Sequence, residues 1–194
     1  MNTYKHKGFM KKSFILAMMA IIVASCTAKE PKVLITYFSA SGTTKSLSQD
    51  LAKATGADLF EIEGAQPYTA DDVNLGNREA RAFKEMADKA MRPELKESPK
   101  NLKDYDVVYI GFPIWGNYAP NIIYTFIEQN DLKGKTVIIF STSGSSDLTN
   151  SFNYIKQQYP DLNLVEGTTL KRNPTPEARQ AVIEKLKQAI PAEK

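Results

Sequence analysis

Three short stretches of the chain hold unbroken runs of β-branched, aliphatic and aromatic residues: Lys32–Phe38, Asp106–Gly111 and Thr136–Ser141. Each gives way to serine or glycine within a residue of its apolar part. The runs are too short for helices. They also lack the alternation of apolar and polar residues expected of a strand with one wet face, so they read as strands covered on both faces, the signature of a parallel sheet. Parallel neighbours need crossovers, and the intervening sequence supplies helical patterns. Thr43–Thr55 places Leu47, Leu51 and Ala54 at helical spacing and stops at Gly56. Pro120–Gln129, Leu148–Gln158 and Pro176–Ile190 repeat the theme, the last with proline at a favoured first position. Weaker signals predict strands at Ala57–Glu63 and Leu162–Val165 and a polar amphipathic helix over Arg78–Met91, with loops at 64–75 and 93–103. The alternating order predicts one α/β domain, a five-stranded parallel sheet with helices on both faces.

The chain begins differently. Lys11, Lys12 and Ser13 precede an apolar run from Phe14 to Val23, a signal-peptide pattern too short for the roughly 20 residues of a membrane span. Val23-Ala24-Ser25-Cys26 follows and resembles the lipobox of bacterial lipoproteins, which implies cleavage before Cys26 and acylation of that cysteine. The expected organisation is a signal peptide over 1–26, a short tether over 27–31 and a folded domain over 32–194. The expected location is the cell envelope, held to a membrane through Cys26, with Thr27 favouring the outer membrane. Met10 opens a more compact signal and is a second candidate start.

Removing residues 1–26 changes what chemistry is available. They carry four lysines and no carboxylate, so the formal charge of +3 becomes −1, and no basic tract remains to bind nucleic acid. They also carry the only histidine, His6, while the only cysteine becomes the anchor. The mature domain is then left without a Ser-His-Asp or Cys-His nucleophile, a thiol pair or a zinc site of the usual kind. Its chemistry needs a bound cofactor or carboxylates.

In open parallel sheets ligands bind beyond the carboxyl ends of the strands, so the loops after the first, third and fourth strands should share a crevice. The first, Ser39-Ala40-Ser41-Gly42-Thr43-Thr44, places four hydroxyls and a glycine at a helix N-terminus, where free N–H groups and the helix dipole favour a phosphate. It has neither the GxxxxGK[ST] nor the GxGxxG spacing, which turns the reading away from ATP and NAD. The second runs from Gly111 to Pro120 and holds the sole tryptophan, Trp115, with Tyr118. Aromatics exposed at a strand end beside a phosphate site are expected to flank a flat ring. The third, Ser141 to Asp147, is built of small residues whose backbone can approach a ligand edge. Taken singly, the first and third are also what ordinary helix caps look like.

Together the three loops resemble those of the flavodoxin family over nearly all of residues 32–190. The resemblance implies a three-layer sandwich with strand order 2-1-3-4-5 and noncovalently bound flavin mononucleotide (FMN). By it, Ser39, Ser41, Gly42, Thr43 and Thr44 would hold the phosphate. Pro113, Ile114, Trp115, Gly116, Asn117 and Tyr118 would form the isoalloxazine loop, and Ser143, Gly144 and Ser145 would hydrogen-bond the pyrimidine end. Relatives with a single long second loop often carry a second aromatic directly after the tryptophan, where this chain has Gly116, so one-sided stacking is expected. A glycine peptide there can turn toward flavin N5 at little steric cost. An apolar aromatic pocket would disfavour the anionic reduced ring by poor solvation. The expected activity is electron transfer with a redox partner protein. The alternatives are an NAD(P)H-dependent flavin or quinone reductase, or a lipid-anchored binding module that uses no flavin.

Overall fold

The computed structural model describes residues 30–74 and 76–191, besides Met1. The lipobox and Cys26 lie outside the described residues.

Five parallel strands are joined by helices: β1 Val33–Tyr37, α1 Thr43–Thr55, β2 Asp58–Glu61, α2 Arg81–Ala87, β3 Val107–Pro113, α3 Asn121–Gln129, β4 Thr136–Ser143, α4 Thr149–Gln158, β5 Asn163–Lys171 and α5 Pro176–Gln188. The strand order is 2-1-3-4-5 and every pairing is parallel. Successive residues of each central strand feed opposite cores, as a two-residue side-chain period requires. On one face Val33, Ile35, Tyr109, Ile138 and Phe140 meet Leu47 and Leu51 of α1 and Ile183 and Leu186 of α5. On the other Leu34, Val108, Ile110 and Ile139 meet α2, α3 and α4 through residues such as Ala82, Ile122, Phe126 and Ile155.

Polar side chains inside these layers are paired. Thr36 Oγ1 donates to the Tyr109 carbonyl at 2.6 Å, and the Tyr109 hydroxyl donates to the Leu186 carbonyl at 2.7 Å. Among the described residues no buried side-chain nitrogen or oxygen lacks a hydrogen-bond partner.

Gly111 of β3 pairs in register with Phe140 of β4, whose ring lies over it. A Cβ at 111 would stand 2.1 Å from the Phe140 Cζ. Phe140 is fully buried and cannot swing away. Gly111→Ala is therefore expected to cost about 2 kcal/mol through overpacking, read as a fall in the urea midpoint with the slope unchanged.

Two elements depart from expectation. The helix predicted over Arg78–Met91 shrinks to Arg81–Ala87. Asn77 and Asp88 use their side chains to accept the backbone N–H groups of Glu79 and Ala90, which holds both flanks in turns. The last strand, predicted to end at Val165, runs on to Lys171. It is an edge strand with partly exposed threonines, and its register shifts between Ile139 and Ser141 of β4. Gly167 lies at that shift, where a Cβ would stand 2.5 Å from the Ile139 carbonyl oxygen.

No described helix is long and apolar enough to cross a membrane.

Candidate functional site

At the carboxyl edge of the sheet a cavity of about 460 Å³ is walled by all three loops expected there. Its volume lies within the range of small-ligand pockets.

The first wall is the β1–α1 turn. Gly42 precedes α1 at φ 83°, a left-handed conformation that glycine adopts without strain, and no side chain caps the helix there. Ser39 Oγ accepts the Lys45 N–H at 3.1 Å, while the N–H groups of Thr43 and Thr44 have no acceptor among the described residues. Ser41 and Thr43 line the cavity. Thr44 is buried, its hydroxyl 2.8 Å from that of Thr142 on β4, so it fixes the loop to the sheet instead of facing the cavity directly. Lys45 points away, its ammonium 2.6 Å from Glu61, and this hydrogen bond raises its pKa above the ordinary lysine value. The turn thus offers hydroxyls and free N–H groups beside the uncapped end of α1, a setting suited to a phosphate.

The second loop is divided. Pro113, Ile114 and Trp115 line the cavity. Beyond them Trp115 and Tyr118 exchange both backbone hydrogen bonds at 2.9 Å, and Gly116 and Asn117 between them have φ 52° and 72°. Two consecutive positive φ values make this a turn of the type I′ kind, which accounts for the Gly-Asn pair. Gly116 lies outside the cavity, facing Met86, whose Sδ would be 3.1 Å from a Cβ at 116.

The expected pair of exposed aromatics is not formed. Trp115 is 5% exposed and meets Phe38 and Tyr68 edge-on, with ring centroids 5.5 and 5.8 Å away. Indole burial in that aromatic nest outweighs exposure at the strand end, so Trp115 reaches the cavity with only a small part of its surface. Tyr118 packs on Tyr154, with the Lys89 ammonium 3.7 Å from its ring centroid, and does not line the cavity. Asn117 is also outside it; its side-chain oxygen accepts from Ser146, bracing the second loop against the third.

The third loop places Ser143 and Gly144 on the cavity, with Thr142 beside them. Ser145 is exposed, and its N–H donates to Ser143 Oγ at 3.3 Å.

A fourth wall was absent from the sequence reading. Leu170 to Pro174, with Arg179 from the first turn of α5, closes the far side. β5 runs to Lys171 rather than ending at Val165, so Lys171 and Arg172 fall at the carboxyl edge of the sheet, where ligands bind in such folds. Val73 joins the lining from the irregular segment before α2, which has no periodicity to reveal it. No group of three or more candidate metal ligands occurs among the described residues.

The flavodoxin family profile matches residues 32–186. An inferred flavoprotein of Bacteroides eggerthii has a solved structure 45% identical to this chain, with a TM-score of 0.74 over 82% of this chain and 98% of its own. Another, from Bacteroides uniformis, is 42% identical, with a TM-score of 0.75 over 82% and 99%. A flavoprotein of Lactobacillus acidophilus, solved in complex with FMN, shares the fold at 23% identity, with a TM-score of 0.60 over 70% and 91%. No curated protein matches the chain. With the strand order, the cavity at the carboxyl edge and the family profile in agreement, this chain belongs to the flavodoxin family.

Proposed function

We propose that the protein holds FMN noncovalently in this cavity and passes electrons through it to a protein partner. The observation that carries the reading is the joining of the uncapped α1 turn to an apolar wall and a small-residue loop in one cavity, in a chain of this family. FMN bound at the Lactobacillus relative supports it.

The donor set fits the group. The hydroxyls of Ser41 and Thr43 and the N–H groups of Thr43 and Thr44 would receive the phosphate. Pro113, Ile114 and the exposed part of Trp115 offer an apolar surface for a flat ring, and Ser143 and Gly144 offer polar backbone at its edge. Bound there, FMN would supply one- and two-electron chemistry. The protein would contribute binding, orientation and electrostatics.

A carrier is favoured over a reductase because Gly116 does not open the cavity to a second ring; it sits in its own turn against Met86. With FMN bound, turnover of NADPH and a soluble quinone is expected to be slow. Rapid turnover would make the protein a reductase.

The membrane anchor at Cys26 belongs to the same proposal and rests on the lipobox. Cys26→Ala is expected to move the protein from the membrane fraction to the soluble one, and unchanged membrane association would remove the anchor from the account.

A further inference from the structure

Lys171, Arg172 and Arg179 stand on the fourth wall of the cavity, and none of the lining residues is a carboxylate. Two of these cations are already held by the protein. Lys171 Nζ donates to the carbonyls of Ser145 and Ser146, each at 2.6 Å, and so fixes the third loop. Arg179 lies 2.7 Å from Asp50 and donates to Ser46 Oγ at 2.9 Å. Arg172 is exposed at the rim, and its guanidinium has no acceptor among the described residues. It lies beside Gly144, with Nη2 3.3 Å from where a Cβ at 144 would stand.

Several contacts set this wall against the β1–α1 turn. Arg179 reaches Ser46 in the first turn of α1. Thr142 of β4 meets Thr44 of the turn at 2.8 Å, and Thr142 pairs in register with Leu170 of β5, two residues before Arg172. Leu170 packs in the core layer of Leu47 and Leu51 of α1, whereas Lys171 reaches the third loop. The alternation of a strand then carries Arg172 back toward the α1 side. Asn173 follows with φ 50°, a conformation asparagine tolerates, and Pro174 comes next, so the chain turns there and leaves Arg172 at the rim.

We infer that Arg172 is the residue that selects a phosphorylated flavin, its guanidinium pairing with the phosphate that the β1–α1 turn receives. The inference rests on the FMN reading and names the side chain that sets ligand specificity within it. A phosphate monoester loses its second proton near pH 6, so at neutral pH it carries close to two negative charges. The turn meets it with hydroxyls and N–H groups, none of which bears a formal charge, and Lys45 is turned away to Glu61. A guanidinium supplies the missing counter-charge, and its planar fork matches two phosphate oxygens. Lys171 and Arg179 add potential from fixed positions, but their donors are spent on the protein. Riboflavin, without the phosphate, gains nothing from Arg172. The dianion gains more than the monoanion, so the pairing draws the second proton off the bound phosphate and strengthens as pH rises through about 6.

The test titrates wild type, Arg172→Gln and Arg172→Lys with FMN and with riboflavin at about pH 5 and about pH 7.5, on either side of the second phosphate ionisation. At the higher pH Arg172→Gln is expected to lose about tenfold in affinity for FMN and to bind riboflavin as wild type does, so the ratio of the two affinities falls about tenfold. Arg172→Lys should recover part of the loss, because it keeps the charge without the fork. The gain in FMN affinity from the lower to the higher pH should shrink in Arg172→Gln, which a merely structural role for Arg172 would not produce. If Arg172→Gln keeps the wild-type ratio and pH profile, or weakens both ligands equally, the inference fails while the FMN reading stands. If wild type binds neither flavin, the FMN reading fails and the inference with it.

Discussion

Replacing Glu85 by alanine is expected to lower the stability of the fold by about 4 kcal/mol, the largest effect of any single change considered. Glu85 lies on α2 and is 2% exposed, yet it carries a carboxylate. Its two oxygens accept the Tyr68 hydroxyl at 3.1 and 2.8 Å, and Oε1 also accepts Arg81 Nε at 2.8 Å. The Arg81 guanidinium in turn lies 3.9 Å from the centroid of the Tyr68 ring. Burial first, and then the Glu85 carboxylate, push the Tyr68 phenol far above its ordinary pKa, so it remains a donor throughout the neutral range. Truncating Glu85 leaves the partly buried Tyr68 hydroxyl without its acceptor and the Arg81 guanidinium with only the Gln66 carbonyl, and the loss of these pairings accounts for most of the cost. The effect reaches the cavity, because the Tyr68 ring backs Trp115 and Phe38. Thermal unfolding should show a fall of about 12 °C in Tm for a domain of this size. The double change Glu85→Leu with Arg81→Met should recover much of it by removing both charges; equal losses in the single and double variants would show that the pairing contributes little.

Binding of FMN in preference to riboflavin is the second large effect expected, by about 100-fold, or roughly 2.7 kcal/mol. The two ligands differ only in the phosphate, so the ratio isolates what the phosphate contacts contribute. Charge-assisted hydrogen bonds to an anion are stronger than neutral ones, and the turn offers at least two free N–H groups with the hydroxyls of Ser41 and Thr43. Lys171, Arg172 and Arg179 add a positive potential, so the FMN affinity should fall with added salt while that of riboflavin changes little. Titration by flavin fluorescence in low and high salt measures both. Equal affinity for the two ligands would place the phosphate elsewhere.

The parts of this molecule that were legible in the sequence are those where burial leaves a composition signal. β1, β3 and β4 are covered on both faces, and their unbroken runs from Val33, Val107 and Val137 show it. The turn from Ser39 to Thr44 was legible because a glycine at positive φ and a cluster of hydroxyls have few other uses at the start of a helix. β5 was legible only at its beginning: its later residues include Glu166, Thr168 and Thr169 on a sheet edge, and Gly167 interrupts the register. That shortfall hid the cationic wall, since Arg172 reaches the site only if the strand extends to Lys171. The aromatics of the second loop were located but not oriented. Nothing local to Trp115 tells that Phe38 and Tyr68, brought together by the fold, will enclose it.

The most direct test of the account is the visible spectrum of the purified protein after incubation with FMN and removal of free ligand by desalting. The account predicts retained flavin absorbance, with quenched flavin emission and quenched fluorescence of Trp115, which lines the cavity. A colourless protein whose tryptophan emission is unchanged even at high FMN concentration would contradict it, leaving a flavodoxin fold whose cavity serves another ligand.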